Sequence, residues 1–475
     1  MKTYPLYLNG QFVRTQKTIR VLNPSTTEVF AEICTVDRAA VAQAIKDAHA
    51  AFQSWRALTG KARGAFLNKI ADEVDKRRDE IARAITSENG KPLAQSLGEI
   101  AMTVDHLRWF AEEARRAYGR IVPHQMDGKR HLVVKTPMGV VAAISPWNFP
   151  LVLAVRKIAP AFAAGCTVIL KPASATPVCA ALFAECVAEA KLPNGVFQLV
   201  SGSAREIAQE FLDNPLCRKI TFTGSTEVGK ELIRGAANQV KPLSLELGGH
   251  APVLVFEDAD LDAAVEGALI TKFRNTGQSC IASNRIFVQR SIYEKFLTKF
   301  VEKTRVLKTG DGLEDGVAVG PLINEEGLNK ALEHIDDATK RGARLLCGGK
   351  KIARKGFFLE PTILADVPAD ALCMSEETFA PVAPVVPFDT DDEAIERANQ
   401  SQYGLSAYAF TRDLSRTFRL MEKLEAGTLG INDGVPTTSN CPFGGVKQSG
   451  WGRELGVEGM DAFLETKHVS LGLGI

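Results

Sequence analysis

The chain has 475 residues, 45% of them apolar, and its 57 lysines and arginines nearly match its 56 aspartates and glutamates. Such a length exceeds what one hydrophobic core supports and implies two or three domains, while the net charge of +1 removes the electrostatic case for nucleic acid or an anionic membrane as partner. The nine cysteines are scattered singly, with no CxxC pair and no Cys/His cluster of metal spacing, which argues against a disulfide framework or a metal centre and for a reducing, cytoplasmic setting.

The opening residues, MKTYPLYLNGQF, lack a charged stretch followed by an apolar one, so a soluble, untargeted protein is expected. Helical periodicity follows. Val41, Ile45, Ala48, Phe52 and Trp55 share one face, as do Leu67, Ile70 and Val74 in the next segment. From about residue 138 the pattern changes to short β-rich runs at 139–145, 167–171, 196–202 and 219–224, each ending in polar or glycine residues. Between them lie helix signals, with Thr176 as N-cap, Pro177 at the first turn and the row Val178, Leu182, Cys186. Strand, helix, strand with apolar faces means a parallel sheet with right-handed crossovers. A second alternation starts near 251, with a helix over 261–273, a strand over 285–290 and a late strand at 427–433.

The expectation is therefore an α/β protein of two doubly wound parallel-sheet domains. Residues 1–117 and 138–248 form a Rossmann-like dinucleotide-binding domain and 249–448 a catalytic domain. Residues 118–137 and 449–475 supply a small β oligomerisation arm and a C-terminal segment.

Ligands of open α/β sheets bind beyond strand carboxyl ends, so those ends carry the candidate chemistry. PWNFP at 146–150 fixes Trp147 and Asn148 between two prolines; the Asn148 amide either donates to a developing oxyanion or satisfies only its own turn. Lys171-Pro172-Ala173-Ser174 ends the next strand, and Lys171 either meets a ribose or phosphate or is simply solvated. Gly224-Ser225 opens a helix without a GxGxxG fingerprint and reads first as a plain strand-to-helix turn. Glu246, between leucines before paired glycines, is a general-base candidate if buried. Cys280, behind Gly277, Gln278 and Ser279, is a nucleophile candidate or a buried spectator. Thiol, amide donor, carboxylate base and dinucleotide-type turns together describe aldehyde oxidation through a thioester.

PWNFP, KPAS, FTGSTEVG, LELGG, GQSC, EETF and PFGGVKQSG resemble, in order and spacing, the aldehyde dehydrogenase superfamily, closest to its succinate-semialdehyde dehydrogenase branch. The resemblance implies Cys280 as nucleophile, Glu246 as base, Asn148 with the Cys280 backbone N–H as oxyanion donors, and Glu454 as a proton-transfer helper. It implies cofactor contacts from Ser145, Pro146, Trp147, Lys171, Ser174, Gly202, Gly224, Ser225, Val228, Leu247, Glu377 and Phe379. Ser174 stands where members that hold the adenosine ribose of NAD usually carry glutamate. With Lys171 nearby, this implies NADP as the cofactor and NAD as the alternative. Arg156 and Arg274 would grip a distal carboxylate, with Thr437 or Thr438 in place of an assisting serine. The bland reading of both arginines is a solvated helix surface.

Departures are Ala282 in place of a second cysteine and Ala380 in place of glycine. Succinate semialdehyde is the expected substrate, with glutarate, 2-oxoglutarate or sulfonated aldehydes as alternatives. A CoA-acylating enzyme is disfavoured by Glu246. A cysteine hydrolase is disfavoured because His250, the one histidine in a motif segment, has no evident pairing with Cys280. A silent binding protein is disfavoured by the intact trio. The strand-like runs HLVVKT (131–136) and KHVSLGL (467–473) suggest an arm that builds a homo-oligomer.

Overall fold

The computed structural model describes residues 1–473; Gly474 and Ile475, the end of the expected C-terminal segment, lie outside the described residues. Two large sheets organise the molecule. The first has eight strands, and its core is five parallel ones in the order Leu243–Glu246, Cys217–Thr223, Val140–Ile144, Thr167–Lys171 and Phe197–Leu199. The strand earliest in the chain among these, Val140–Ile144, sits centrally, so the winding reverses between it and Cys217–Thr223. That reversal opens a crevice above their carboxyl ends. Leu6–Leu8 and Gln11–Val13 extend one edge antiparallel, and Gly450–Trp451 closes the other.

The second sheet has seven strands, six of them parallel, with Ala251–Val255 and Ser283–Gln289 at its centre. Fully buried runs such as Val140–Ala143 and Val253–Val255 carry no in-out alternation because helices cover both faces.

One helix is buried along its whole length. Val152–Ala164 exposes no residue, as an apolar all-round sequence dictates, yet Arg156 and Lys157 lie within it. A cation inside such a helix needs a partner or a ligand.

Two local expectations are revised. Thr176 does not cap its helix, which starts at Val178. The amides of Val178 and Cys179 are instead taken by the buried Glu88 carboxylate at 2.7 and 3.0 Å, and Thr176 donates to the Trp147 carbonyl at 3.4 Å. A carboxylate stabilises a helix N-terminus more strongly than a hydroxyl. The strand-like runs of the arm do not stand alone either: Lys129–Pro137 pairs with Leu464–Gly472 along its whole length, with Arg120–Val122 as third strand.

Candidate active site

The first sheet contributes strand carboxyl ends and the second sheet strand amino ends. Glu246 is the last residue of Leu243–Glu246, and four residues later the chain enters Ala251–Val255. Cys280 precedes Ser283–Gln289. The two meet because Gly249 lies against the Cys280 backbone: a Cβ at 249 would come within 2.1 Å of the Cys280 carbonyl oxygen. Gly277, at φ +73°, is confined in the same way: a Cβ there would come within 2.2 Å of the Ala380 carbonyl oxygen, so the residue at 380 meets this turn through its backbone.

A cavity of about 210 Å³ is lined by Pro146, Trp147, Asn148, Gly224, Ser225, Leu247, Cys280, Glu377 and Phe379. Trp147 and Phe379 meet edge to face, 5.4 Å between centroids, and Phe379 takes φ +54°, a conformation that costs energy for a bulky residue and clusters at functional sites. The Glu377 carboxylate accepts from the Gly249 amide at 3.2 Å, and burial pushes it up to about 8. Ser225 caps the following helix by accepting from the Val228 amide. Gly224-Ser225 is therefore both the plain turn and a cavity wall. Val228, 43% exposed, is not brought to the cavity.

Ser174 and Gly202 line a separate open groove of about 940 Å³ with Lys17, Asp37 and Glu206. Lys171 is buried nearby in sequence, and burial lowers its ammonium to about 8. Ser145, at the end of Val140–Ile144, has a buried hydroxyl without partner. An unpartnered hydroxyl at the crevice, an apolar-walled cavity and a long polar groove fit an extended dinucleotide.

Asn148 is held by a web that sequence reasoning missed. Its backbone carbonyl accepts from Lys91 Nζ at 2.6 Å and from Asn275 Nδ2 at 2.8 Å, while its own Nδ2 donates to the Gln278 carbonyl at 3.1 Å. Asn89 Nδ2 donates to the Trp147 carbonyl at 3.0 Å. Lys91 also pairs with Glu99 at 2.6 Å, both fully buried, and Glu99 accepts the amides of Leu151 and Val152. One N–H of the Asn148 amide remains for a ligand. The sequence did carry a signal, since Glu99, Thr103, His106 and Phe110 fall on one helical phase with apolar neighbours.

The charged groups around Cys280 are less completely satisfied. Burial first, then the Glu377 and Glu246 charges, push the thiol up to about 12, against the pull of Arg156 and the residue's own backbone N–H. Glu246 is raised well above the ordinary carboxylate range, by burial and then by Glu454, while Lys157, Arg156 and Arg453 pull it down. Glu454 accepts from Lys157 Nζ at 2.5 Å, and Lys157 also donates to Thr223 at 2.6 Å. The second carboxylate oxygens of Glu246 and Glu454 have no partner.

Arg156 is buried and Arg274 half-buried, so neither is the solvated surface arginine of the bland reading. Arg156 stacks over Phe443 at 4.9 Å with an unpartnered Nε. Arg274 lies over Phe149 at 5.3 Å, and its Nη2 is 3.9 Å from Met102 Sδ. The Thr437 hydroxyl is buried without partner, whereas Thr438 is exposed and bonded to Asn440. His250 Nε2 lies 3.2 Å from the Cys373 carbonyl, and its pairing with Cys280 is not seen.

Residues 12–469 match the model of the aldehyde dehydrogenase family. The chain is 48% identical to a glutarate-semialdehyde dehydrogenase of Pseudomonas aeruginosa, over 98% of this chain and 97% of that one. It is 46% identical to the NADP(+) succinate-semialdehyde dehydrogenase GabD of Escherichia coli, again over 98% and 97%. A crystal structure of succinate-semialdehyde dehydrogenase from Burkholderia pseudomallei superposes with a TM-score of 0.97 at 44% identity, covering 99% of this chain and 98% of that one.

Proposed function

The chain belongs to the aldehyde dehydrogenase family, NAD(P)-dependent oxidoreductases, and from that premise we propose that it oxidises a short aldehyde with a distal carboxylate, succinate semialdehyde foremost. The observation that carries the reading is the buried Arg156, with a hydrogen-bonding nitrogen unused by the protein, beside the half-buried Arg274. A guanidinium withdrawn from water and left unsatisfied is stabilised when a carboxylate completes it.

Cys280 is the nucleophile. Its thiol is protonated in this state, so attack requires the proton to leave, and Glu246, raised by burial, has the basicity to take it. The free Asn148 N–H and the Cys280 backbone N–H stabilise the oxyanion formed from the carbonyl. A nicotinamide dinucleotide, when bound, supplies the hydride acceptor. Trp147, Glu377 and Phe379 are the residues that would hold its nicotinamide end, and Ser174 and Gly202 its adenosine end. Glu246, once it has released the thiol's proton to solvent, then draws a proton from the water that hydrolyses the thioester. Glu454, held by Lys157, which also donates to Thr223, is the proposed proton-transfer helper beside that carboxylate. NADP is the proposed cofactor, because Ser174 puts no carboxylate at the ribose.

Replacing Arg274 by alanine should raise KM for succinate semialdehyde far more than for propanal, and equal effects on both would remove the carboxylate grip. Glutarate semialdehyde, one methylene longer, is the second reading, favoured by the similarity to the Pseudomonas enzyme. Among the described residues no helix is long and apolar enough to cross a membrane. A cytoplasmic homo-oligomer, dimer or tetramer, is part of the proposal, supported by the exposed arm strands.

A further inference from the structure

Among the buried polar atoms without partners are Glu246 Oε2, Glu454 Oε2, Arg156 Nε, Thr437 Oγ1 and His106 Nδ1. The first four belong to groups already discussed, and His106 does not. It is 2% exposed, and its buried Nδ1 has no hydrogen-bond partner. The buried His334, by contrast, lies 3.1 Å from the Thr378 hydroxyl. Leaving a buried imidazole unpaired forfeits stability, and such exceptions ask for a ligand or water.

Its place in the fold indicates which. His106 is on the helix Leu93–Glu113, which packs along Val152–Ala164. At Glu99 this helix binds the amides of Leu151 and Val152. At Met102 it reaches Arg274, 3.9 Å away. At Trp109 it donates to the Gly456 carbonyl at 3.4 Å, two residues beyond Glu454. Residues three and four apart share a helix face, so His106, between Met102 and Trp109, is on the face that meets Arg274 at one end and the segment just beyond Glu454 at the other. Arg156 is the charged group that bears on it.

We propose that His106 is a third donor to the anionic tail of the aldehyde, a specificity-determining residue that works beside Arg156 and Arg274. Burial and the neighbouring guanidinium keep the imidazole neutral, so it offers one N–H without a third positive charge to desolvate. A carboxylate has about four lone-pair directions, more than one guanidinium satisfies. The inference rests on the acidic-aldehyde reading and deepens it.

The test compares kcat/KM for succinate semialdehyde and for butanal, which has the same carbon chain without the charge. His106→Phe keeps an aromatic ring and removes the hydrogen bond; it should lower kcat/KM for succinate semialdehyde about tenfold, mainly through KM, and leave butanal within about twofold. His106→Gln, which retains an N–H, should recover much of the loss. Equal losses on both aldehydes, or no loss on either, would overturn the assignment. If His106→Phe fails to fold, His106→Gln against His106→Met decides in the same way. A parent enzyme that turns over butanal as well as succinate semialdehyde refutes the acidic-aldehyde reading itself and takes this inference with it, whereas a charge-selective parent with an unaffected His106→Phe refutes the role of His106 alone.

Discussion

Two clusters of buried charge flank the PWNFP loop, and they are built on opposite principles. Behind the loop, Lys91 and Glu99 are closed: the ammonium meets a carboxylate, a carbonyl and the face of Phe149 at 3.9 Å, and the carboxylate takes two backbone amides. In front of it, Glu246, Glu454 and Arg156 each keep an atom without a partner. The satisfied cluster fixes geometry, because each of its charged groups is held by several partners. The unsatisfied one stores capacity for a substrate, a water and a proton.

The comparison breaks most directly at Glu246. Glu246→Gln should reduce steady-state turnover by about 10² to 10⁴: it slows thiol activation and hydrolysis together, so acyl-enzyme forms slowly and then persists, detectable as a mass increment on Cys280. Rapid steady-state hydrolysis in that variant would sink the assignment.

On the closed side, Lys91→Met strands the Glu99 carboxylate and should cost about 3 to 5 kcal/mol of stability, read by denaturant unfolding. Lys91→Met with Glu99→Leu removes both charges and should recover much of that loss, yet kcat should stay low, because the Asn148 carbonyl has lost its charged donor and keeps only amide donors such as Asn275. Recovery of both would make the pair purely structural.

Ser174→Glu should move the kcat/KM ratio from NADP toward NAD by about ten- to a hundredfold, since a carboxylate repels a 2′-phosphate and accepts from a 2′-hydroxyl. An unmodified enzyme that strongly prefers NAD would count against the cofactor proposal; Glu206 in the same groove makes this a real contest of charges.

Glu454→Gln should have the smallest effect. Glu246 acts as a base only when ionised, and the Glu454 charge helps raise its pKa. Removing that charge, and leaving Lys157 without its carboxylate, lowers the Glu246 pKa, so the acid limb of the deacylation profile should move to lower pH. A shift to higher pH would contradict the electrostatics.

The chain order of the elements and the site's backbone turns were legible because they obey local rules. Apolar runs ending in Gly224-Ser225 or Lys171-Pro172 mark sheet ends, and a cysteine behind Gly277 marks a tight, open turn. The Thr176 cap was misread because the competing acceptor, Glu88, is 90 residues away in sequence, and no local pattern advertises it. Lys91 and Lys157 were overlooked for the same reason, since a charged residue looks solvated until its neighbours are known, whereas Glu99 and His106 do share a helical phase with apolar neighbours.

By itself, then, the sequence determined the α/β alternation, the turns that end its strands and the residue types available for chemistry. Only the tertiary structure decided which of those groups are stripped of water and which are left unpaired. Burial and pairing depend on segments distant along the chain, and they set whether a carboxylate is a strut or a base.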